Sequence, residues 1–353
     1  MRSDGTPEAI RQAVCDGMTV FRPTSRISTQ GRVKKSGLIE PTGASMTTIA
    51  LKHTARLVKS RLGQIAVLFL CSGTPALAGV ANFVTIDVPG ASSTRLTDVN
   101  NAGVIVGRFV DDAGLHGFVL DHDVFTTVDF PGAGVTTLLG INDAGEVVGR
   151  FTLGGVDHGF RYWGGVFLEI DVPGAISTQC HGINSAGQIV GRFFDGRNPG
   201  QGGGQGRQRE HGFLLTNGKF TSIDFPDANT TDAWKISDAS EIIGDWSVNG
   251  ALQSGSVAGY FLYEGQFSSH AVPGAVITAS RDINSKGQVV GIYWDKKFND
   301  HGFVLDGGTY SSFDYPSSTW TDGNAINDHG LIVGSYSDSA GAEHGYVAAI
   351  SND

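Results

Sequence analysis

The sequence predicts an all-β protein, a six-bladed β-propeller built from four-stranded blades. Three observations predict this fold. Six copies of one repeat fill the chain from residue 83 onward, each copy contains four short runs of β-branched and aromatic residues, and Gly, Asn, Asp and Pro separate those runs. A repeat of roughly 40 residues with four strands has the size of one propeller blade. The alternative is a β-solenoid, which needs shorter or more uniform rungs and terminal caps that the sequence does not show.

Three landmarks define each copy. An Ile/Val-Asp-x-Pro-Gly element comes first, then Ile-Asn-x-x-Gly followed by Val-Gly, then His-Gly-Phe. The Asp of the first landmark is Asp87, Asp129, Asp171, Asp224 and Asp314, with His270 in its place in the fifth copy. The His of the third landmark is His116, His158, His211, His301 and His344, with Ala258 in its place in the fourth copy.

The second copy illustrates how the elements follow one another. Residues 137–141 and 146–151 form two strands around an Asn-Asp-Ala-Gly hairpin turn, in which Gly145 can take a positive φ. Residues 159–162 and 167–171 form the third and fourth strands. The repeats begin with a lone fourth strand at residues 83–88 and end with a third strand at residues 346–350. These two strands are expected to pair and close the ring, which leaves no open sheet edge at the junction.

Residues 46–78 predict a secretory signal peptide. A basic stretch precedes the apolar run 65–70, and Ala76-Leu77-Ala78 supplies the small residues of a cleavage site. A core helix is the alternative, and the shortness of the apolar run disfavours it. Cleavage near Ala78 would leave residues 79–353 as a secreted or periplasmic propeller. Residues 1–45 are interpreted as a non-native or disordered extension upstream of Met46.

Composition excludes several classes of function. The chain has 353 residues and a formal net charge of −10, which argues against binding to a nucleic-acid backbone. It has no apolar run long enough to span a membrane. Cys180 is the one cysteine beyond residue 78, so no disulfide can form within the predicted mature chain. The sequence contains no motif of a known catalytic or phosphate-binding class, so we expect no cofactor, no metal and a monomer.

Polar residues that recur in every copy are interpreted as structural, since a catalytic group is needed only once. Each recurring His is expected to bond a backbone or carboxylate group of its own blade rather than a metal, because successive blades are too far apart to share one ion. The recurring Asp is expected to hold the turn before Pro-Gly. The Asn-x-x-Gly runs are expected to be hairpin turns rather than calcium loops, because they lack alternating oxygen ligands.

The Ile-Asn-x-x-Gly-x-x-Val-Gly run followed by His-Gly-Phe resembles the HAF-repeat family of extracellular proteins, which is named for a His-Ala-Phe signature. The resemblance covers residues 79–353, and it implies an exported repeat protein without an established enzymatic activity. This chain differs from the family signature by carrying Gly where the signature has Ala, and these residues are Gly117, Gly159, Gly212, Gly302 and Gly345.

Positions at which the copies differ are the candidates for function. The residue after Val-Gly is Arg108, Arg150 and Arg192 in the first three copies and Asp245, Ile292 and Ser335 in the others. Equivalent arginines on adjacent blades could hold a carboxylate or a sulfate. The alternative is a structural role, in which they pair with Asp87, Asp129 and Asp171.

A second candidate site lies in the late copies. Trp246, Trp294 and Trp320 occur there with Tyr293, close in sequence to Asp245, and this combination suits sugar binding. Packing in the core is the alternative, especially for Trp246, because Phe109, Phe151 and Phe193 occupy its position in other copies. The insertion 196–210 of the third copy is interpreted as a tolerated loop.

The sequence therefore predicts an exported, non-enzymatic binding module for a glycan or a cell-surface protein. A carbohydrate-active hydrolase or lyase is the alternative, with Asp245, Asp295 and Asp322 as its candidate acids. A structural envelope protein is the third option.

Overall fold

The computed structural model describes residues 79–196, 209–248 and 257–351, which form strands and turns without a helix. The predicted all-β class is confirmed. The predicted extension 1–45, the predicted signal peptide 46–78 and most of the insertion 196–210 lie outside the described residues. The described residues contain no helical segment that could cross a membrane.

The described strands pair into four-stranded antiparallel units, which we number 1 to 6. Unit 1 contains β2 (Ser93–Val99), β3 (Ile105–Asp111), β4 (Gly114–Asp121) and β5 (Val124–Val128). Unit 2 contains β6 (Val135–Ile141), β7 (Val147–Leu153), β8 (Val156–Trp163) and β9 (Val166–Ile170). Unit 3 contains β10 (Ala175–Ile183), β11 (Ile189–Asp195), β12 (Glu210–Thr216) and β13 (Lys219–Ile223).

Unit 4 contains β14 (Thr230–Ile236), β15 (Ile242–Ser247), β16 (Val257–Tyr263) and β17 (Gln266–His270). Unit 5 contains β18 (Ile277–Ile283), β19 (Val289–Trp294), β20 (Asp300–Asp306) and β21 (Thr309–Phe313). Unit 6 contains β22 (Trp320–Ile326), β23 (Leu331–Ser337), β24 (Glu343–Ser351) and, as its fourth strand, β1 (Gly79–Ile86). The first and the last described strands thus pair antiparallel, with Ile86 opposite Gly345.

A threonine holds the turn that enters each unit. The Thr94 hydroxyl accepts a hydrogen bond of 3.0 Å from the backbone N–H of Val88, and the same bond recurs in every unit. The prediction that the Asp before Pro-Gly holds this turn is therefore wrong. That Asp instead bonds a histidine, as in the 2.7 Å contact between His116 Nδ1 and Asp129 Oδ2.

The histidine–aspartate contact joins the third and fourth strands of five units. The pairs are His116–Asp129, His158–Asp171, His211–Asp224, His301–Asp314 and His344–Asp87. The predicted structural role of the recurring histidines is thus confirmed. The pair of unit 6 joins β24 to β1 across the two ends of the described chain. In unit 4, Ala258 stands in place of the histidine and His270 in place of the aspartate, and the His270 ring bonds the Tyr310 hydroxyl instead.

Asparagine side chains link neighbouring units. The Asn100 amide donates to the backbone carbonyl of Asn142, Asn142 donates to Asn184, and Asn184 donates to Ser237. Asn284 likewise donates to Asn327, and Asn327 donates to Asn100, which joins unit 6 to unit 1. Each asparagine also closes its own hairpin through its backbone, as when the backbone carbonyl of Asn100 accepts a hydrogen bond from the Gly103 N–H. The hairpin-turn interpretation of the Asn-x-x-Gly runs is confirmed.

The hydrophobic core lies between neighbouring units. One cluster combines Leu96 and Phe118 of unit 1 with Val333 and Val347 of unit 6, and equivalent clusters fill the other junctions. Cys180 is fully buried in such a cluster, as predicted. Burial of apolar area at about 25 cal/mol per Å² at each junction stabilises the association of units that could not fold singly.

Candidate functional site

The first strands of the six units surround a cavity of about 260 Å³. In the described part of the chain, its lining contains six cationic side chains and two carboxylates, those of Asp98 and Asp282. The cationic residues are Arg95, Arg108, Arg150, Arg192, Lys235 and Arg281. The basic surface contrasts with the acidic net charge of the chain.

A β-bulge in each first strand turns side chains toward this cavity. The register shifts at the same place in all six strands, as between Leu96 and Asp98 in β2. The extra residue is Thr97, Leu139, His181, Trp234, Arg281 or Asn324, and every one of them lines the cavity. Because a bulge adds one residue to the side-chain alternation, the residues on either side, such as Leu96 and Val99, can both face the core.

Arg108, Arg150 and Arg192 lie at equivalent positions on the second strands of units 1 to 3 and converge on this cavity. The alternative in which they pair with Asp87, Asp129 and Asp171 is wrong, because those carboxylates bond histidines. The structure thus brings together the arginine cluster that the sequence predicts.

Most of these cations have carboxylate partners behind the cavity wall. Arg150 Nη1 lies 3.0 Å from both oxygens of Asp157. Arg192 Nη1 lies 3.0 Å from Glu210 and 3.2 Å from Asp232. Arg95 lies 2.6 Å from Glu343 and 3.1 Å from Asp322. These partners fix the direction of the guanidinium groups without entering the cavity.

Arg108 is the exception. Among the described residues, its nearest carboxylate oxygen belongs to Glu343, at 3.9 Å, and that group already bonds Arg95 and Ser93. In the register of β2 and β3, Arg108 lies directly opposite Arg95, and like charges in this position repel. Burial, together with the charges of Arg95 and Arg150, lowers the pKa of Arg108. An anion in the cavity would offset the repulsion between Arg108 and Arg95.

Units 3 to 5 contribute a stack of flat side chains. The Trp234 ring stacks on the His181 ring at 4.3 Å, and the Arg281 guanidinium lies 3.9 Å from the Trp234 ring centroid. Arg281 Nη1 is buried, has no hydrogen-bond partner among the described residues, and lies 3.7 Å from Asp245. Burial lowers the pKa of His181, which favours a neutral imidazole.

Lys235 forms the floor of the cavity. Its Nζ lies 2.5 Å from Asp98 and 3.6 Å from Asp282, so it connects units 4, 1 and 5. Burial raises the pKa of Asp282 to about 7. Lys235 and Asp282 also border a second cavity of about 90 Å³, which the asparagine turns surround. The bridge of Lys235, Asp98 and Asp282 thus separates the two cavities.

The aromatic candidates of the late copies do not form one site. Trp246 stacks on Phe225 at 4.3 Å within the core of unit 4, as Phe151 stacks on Phe130 in unit 2. Tyr293 stacks on His301 and bonds Ser312. Trp294 packs against Phe298. Trp320 lies near the Arg95 guanidinium at 5.6 Å, behind the cavity wall.

The carboxylate candidates lie in different environments. Asp245 accepts a 2.7 Å bond from Trp234 Nε1, and burial raises its pKa to about 6. Asp322 pairs with Arg95. Asp295 accepts backbone and side-chain bonds from its own turn at Asn299, which lower its pKa to about 2 and make it unfit as a general acid.

Sequence reasoning missed half of the cationic lining, namely Arg95, Lys235 and Arg281, and also His181. A signal for them exists in the first strands. In five copies a threonine precedes the turn asparagine by six residues, and these threonines are Thr94, Thr136, Thr178, Thr278 and Thr321. The residues one, three and four positions after the threonine vary between copies, while their neighbours stay apolar or small.

Among the described residues, one group of three side chains has the spacing of metal ligands, namely His158, Glu169 and Asp171. Two of these side chains are exposed, and His158 with Asp171 is one of the recurring pairs described above. The group is therefore explained by the repeat.

No family model matches the chain, and no curated protein matches it. Solved structures do resemble it. A protein described as TolB from Agrobacterium tumefaciens has 13% identity and a TM-score of 0.49, with 73% of this chain and 90% of that chain covered.

The β-propeller domain of the Trilobed protease from Pyrococcus furiosus has 10% identity and a TM-score of 0.47, with 73% and 94% covered. The Aleuria aurantia lectin in complex with Fucα1-6GlcNAc has 11% identity and a TM-score of 0.46, with 72% and 91% covered. All three scores lie below 0.5, so the description of the fold rests on the strand pairing given above.

Proposed function

We propose that the six units close into a six-bladed β-propeller and that the basic cavity binds an anionic ligand. Ring closure is supported by the β1–β24 pairing, which joins the two ends of the described chain within unit 6. It is also supported by two contacts between units 6 and 1, namely the Asn327 bond to Asn100 and the ion pair of Arg95 with Asp322. We also propose that the chain is exported after cleavage near Ala78 and that it belongs to the HAF-repeat family.

The weakly paired guanidinium of Arg108 carries the proposal for the ligand, since its one carboxylate contact among the described residues is 3.9 Å long. A partly buried cation that lies opposite another cation costs free energy unless an anion accompanies it. The carboxylates behind the wall are engaged by other side chains, so the open side of Arg108 is the cavity. Arginine is suited to this role because its planar fork binds carboxylates, sulfates and phosphates in bidentate geometry.

The size of the cavity limits the ligand. A volume of about 260 Å³ lies just below the roughly 300–1,000 Å³ typical of drug-sized ligands. The cavity therefore suits a small organic acid or one acidic sugar residue. A glycan would bind through such a residue, whereas a cell-surface protein would need a larger interface of about 1,000 Å² or more.

A hydrolase or lyase is the second candidate, and the partly buried Asp245 carboxyl favours it. A pKa of about 6 lets this group exchange a proton near neutral pH. Its hydrogen bond to Trp234 and its contact with Arg281 place it behind the lining. We therefore assign Asp245 to the support of Arg281 and expect binding without turnover.

The experiment is a thermal-shift screen of acidic sugars, neutral sugars and small organic acids, followed by calorimetric titration and product analysis of each hit. The Arg108→Gln variant should lower the affinity for an anionic hit by 10- to 100-fold, the range expected for a charge-assisted hydrogen bond. Lys219→Gln, which removes an exposed charge on β13, is the matched control. Equal affinity of wild type and Arg108→Gln would refute the proposed site, and new products would favour the enzyme.

A further inference from the structure

The cavity offers unengaged hydrogen-bond donors on two separate walls. On the first wall, Arg108 of unit 1 has no carboxylate of the described residues closer than 3.9 Å, and the buried hydroxyl of Thr137 in unit 2 has no hydrogen-bond partner among them. On the second wall, Nη1 of Arg281 in unit 5 is buried and has no hydrogen-bond partner within the described part of the chain, with an Asp245 oxygen 3.7 Å away. All three side chains line the same cavity.

The two walls are held by independent contacts. Arg95 and Arg108 face each other across β2 and β3, and Glu343 of unit 6 holds Arg95. Arg281 rests on the ring of Trp234, whose other contacts are with His181 and Asp245. No hydrogen bond or ion pair in the described residues connects Arg108 to Arg281. A ligand group bound at one guanidinium therefore leaves the other with only a long carboxylate contact, 3.9 Å for Arg108 and 3.7 Å for Arg281.

The remaining polar side chains between the walls are already engaged. The Asn324 amide donates to the Leu96 carbonyl, and the Gln179 amide donates to Asp157. Lys235 on the floor is shared by two carboxylates. A single small anion could thus satisfy one wall, while the donors on the other would remain unpaired at a cost of roughly 1–3 kcal/mol for a buried polar group.

Units 1 and 2 lie on one side of the proposed six-membered ring, and unit 5 lies across from unit 2. We infer that the ligand is a dianion with an anionic group at each end, one bound by Arg108 and Thr137 and the other by Arg281. A dicarboxylic acid or a sugar with two acidic groups has this chemistry. The inference rests on the proposed function, since it specifies the ligand class of the same cavity.

The test compares ligands that differ in one acidic group. Glucarate carries a carboxylate at both ends, and gluconate is the open-chain acid with the same six carbons and only one carboxylate. Adipate and hexanoate form a second matched pair without hydroxyl groups. Calorimetric titration of the wild-type protein should give at least 10-fold tighter binding for the dianion of a pair, and this comparison needs no variant.

Variants then locate the two ends. Arg108→Gln and Arg281→Gln should each lower the affinity for the dianion by about 10-fold or more, and Arg281→Gln should bring it to the affinity of the monoanion. Arg281→Lys, which keeps the charge and loses the planar fork, provides a milder change if Arg281→Gln unfolds. Lys219→Gln should leave both affinities unchanged.

The possible results separate the two claims. Equal binding of dianion and monoanion, with only Arg108→Gln having an effect, would overturn the dianion and leave the anion-binding function intact. No binding by any of the four acids would overturn both. Dianion binding that is insensitive to Arg281 substitution would overturn the assignment of the second wall.

Discussion

Replacing Lys235 by methionine should strongly destabilise the fold. The side chains of Asp98 and Asp282 are 1% and 3% exposed, and Lys235 is the cation that they share. Its removal leaves two buried carboxylates with only backbone N–H groups as partners, those of Val99 and Ile141 for Asp98 and those of Ile283 and Ile326 for Asp282.

The structure sets the magnitude of this loss. Breaking a buried ion pair by removing one partner costs about 3–5 kcal/mol, because the other charge stays buried and uncompensated. The pKa of Asp282, about 7 in the wild type, should rise further in the variant. Because the wild-type carboxyl itself takes up a proton near pH 7, the loss should differ between pH 7 and pH 5 by less than about 1 kcal/mol.

Denaturant unfolding followed by tryptophan fluorescence at pH 7 and pH 5 measures both quantities. Lys219→Met, which removes an exposed lysine, is the control and should change the free energy of unfolding by no more than about 0.5 kcal/mol. Adding Asp282→Asn to Lys235→Met should restore part of the stability. A loss below about 1 kcal/mol at both pH values would refute the bridge as a stabilising element.

Two further predictions concern packing and turns in the repeat, and a third concerns the pH dependence of stability. Gly302→Ala should destabilise the protein by about 1–3 kcal/mol in the same unfolding assay, because a Cβ there would lie 2.3 Å from the Phe313 ring. At Gly212 the nearest atom to such a Cβ is 3.2 Å away, so Gly212→Ala should have a smaller effect. Equal effects of the two substitutions would contradict this packing. Thr136→Val should lower the free energy of unfolding by about 1 kcal/mol, because it leaves the Phe130 N–H without its acceptor. A thermal melt unchanged from that of the wild type would show that the turn does not need this bond. Stability should fall as the pH rises from about 6 to 7.5, because buried Asp282 and partly buried Glu210 and Asp300 have pKa values of about 7. The folded chain then binds protons that the unfolded chain has released, and melting temperatures that rise across this range in calorimetry would contradict the assignment. Below about pH 6.5 the lowered pKa values of buried His181 and partly buried His270 act in the opposite direction.

The repeat made the strands predictable, because its alternation of apolar residues and turn residues recurs in every copy. In unit 2 the expected strands 137–141, 146–151, 159–162 and 167–171 agree with β6 to β9 to within three residues at each end. The predicted role of Asp129 was wrong, and the reason is physical. A carboxylate beside a turn can bond either the turn or a side chain from the next strand, and spacing alone does not show that His116 lies within reach.

The candidate site was only partly predictable. Arg108, Arg150 and Arg192 follow a shared Val-Gly landmark, so their equivalence can be seen in the sequence. Arg281 and Trp234 lie at the bulge of the first strand, and a bulge becomes visible only when the strand is paired. Trp246 and Tyr293 resembled sugar-binding aromatics, but they pack within their own units, as Phe151 does in unit 2.

The glycine between the His and the aromatic residue of the third landmark has a physical reason at two positions. A Cβ at Gly117 would lie 2.8 Å from the Val128 carbonyl oxygen, and one at Gly345 would lie 2.7 Å from that of Ile86. The fourth strand of each of these two units is thus too close to the third for alanine. Glycine at these positions suits the tight pairing of strands in this chain.

The most direct test of the anion site is a crystal structure of the protein soaked in sodium selenate, with anomalous data collected at the selenium edge. Selenate is a tetrahedral dianion, and its position can be read without bias from the anomalous map. We predict a peak inside the cavity within hydrogen-bond distance of the guanidinium of Arg108 or Arg281. A cavity without a peak, while arginines on the outer surface carry selenate, would contradict the proposed site.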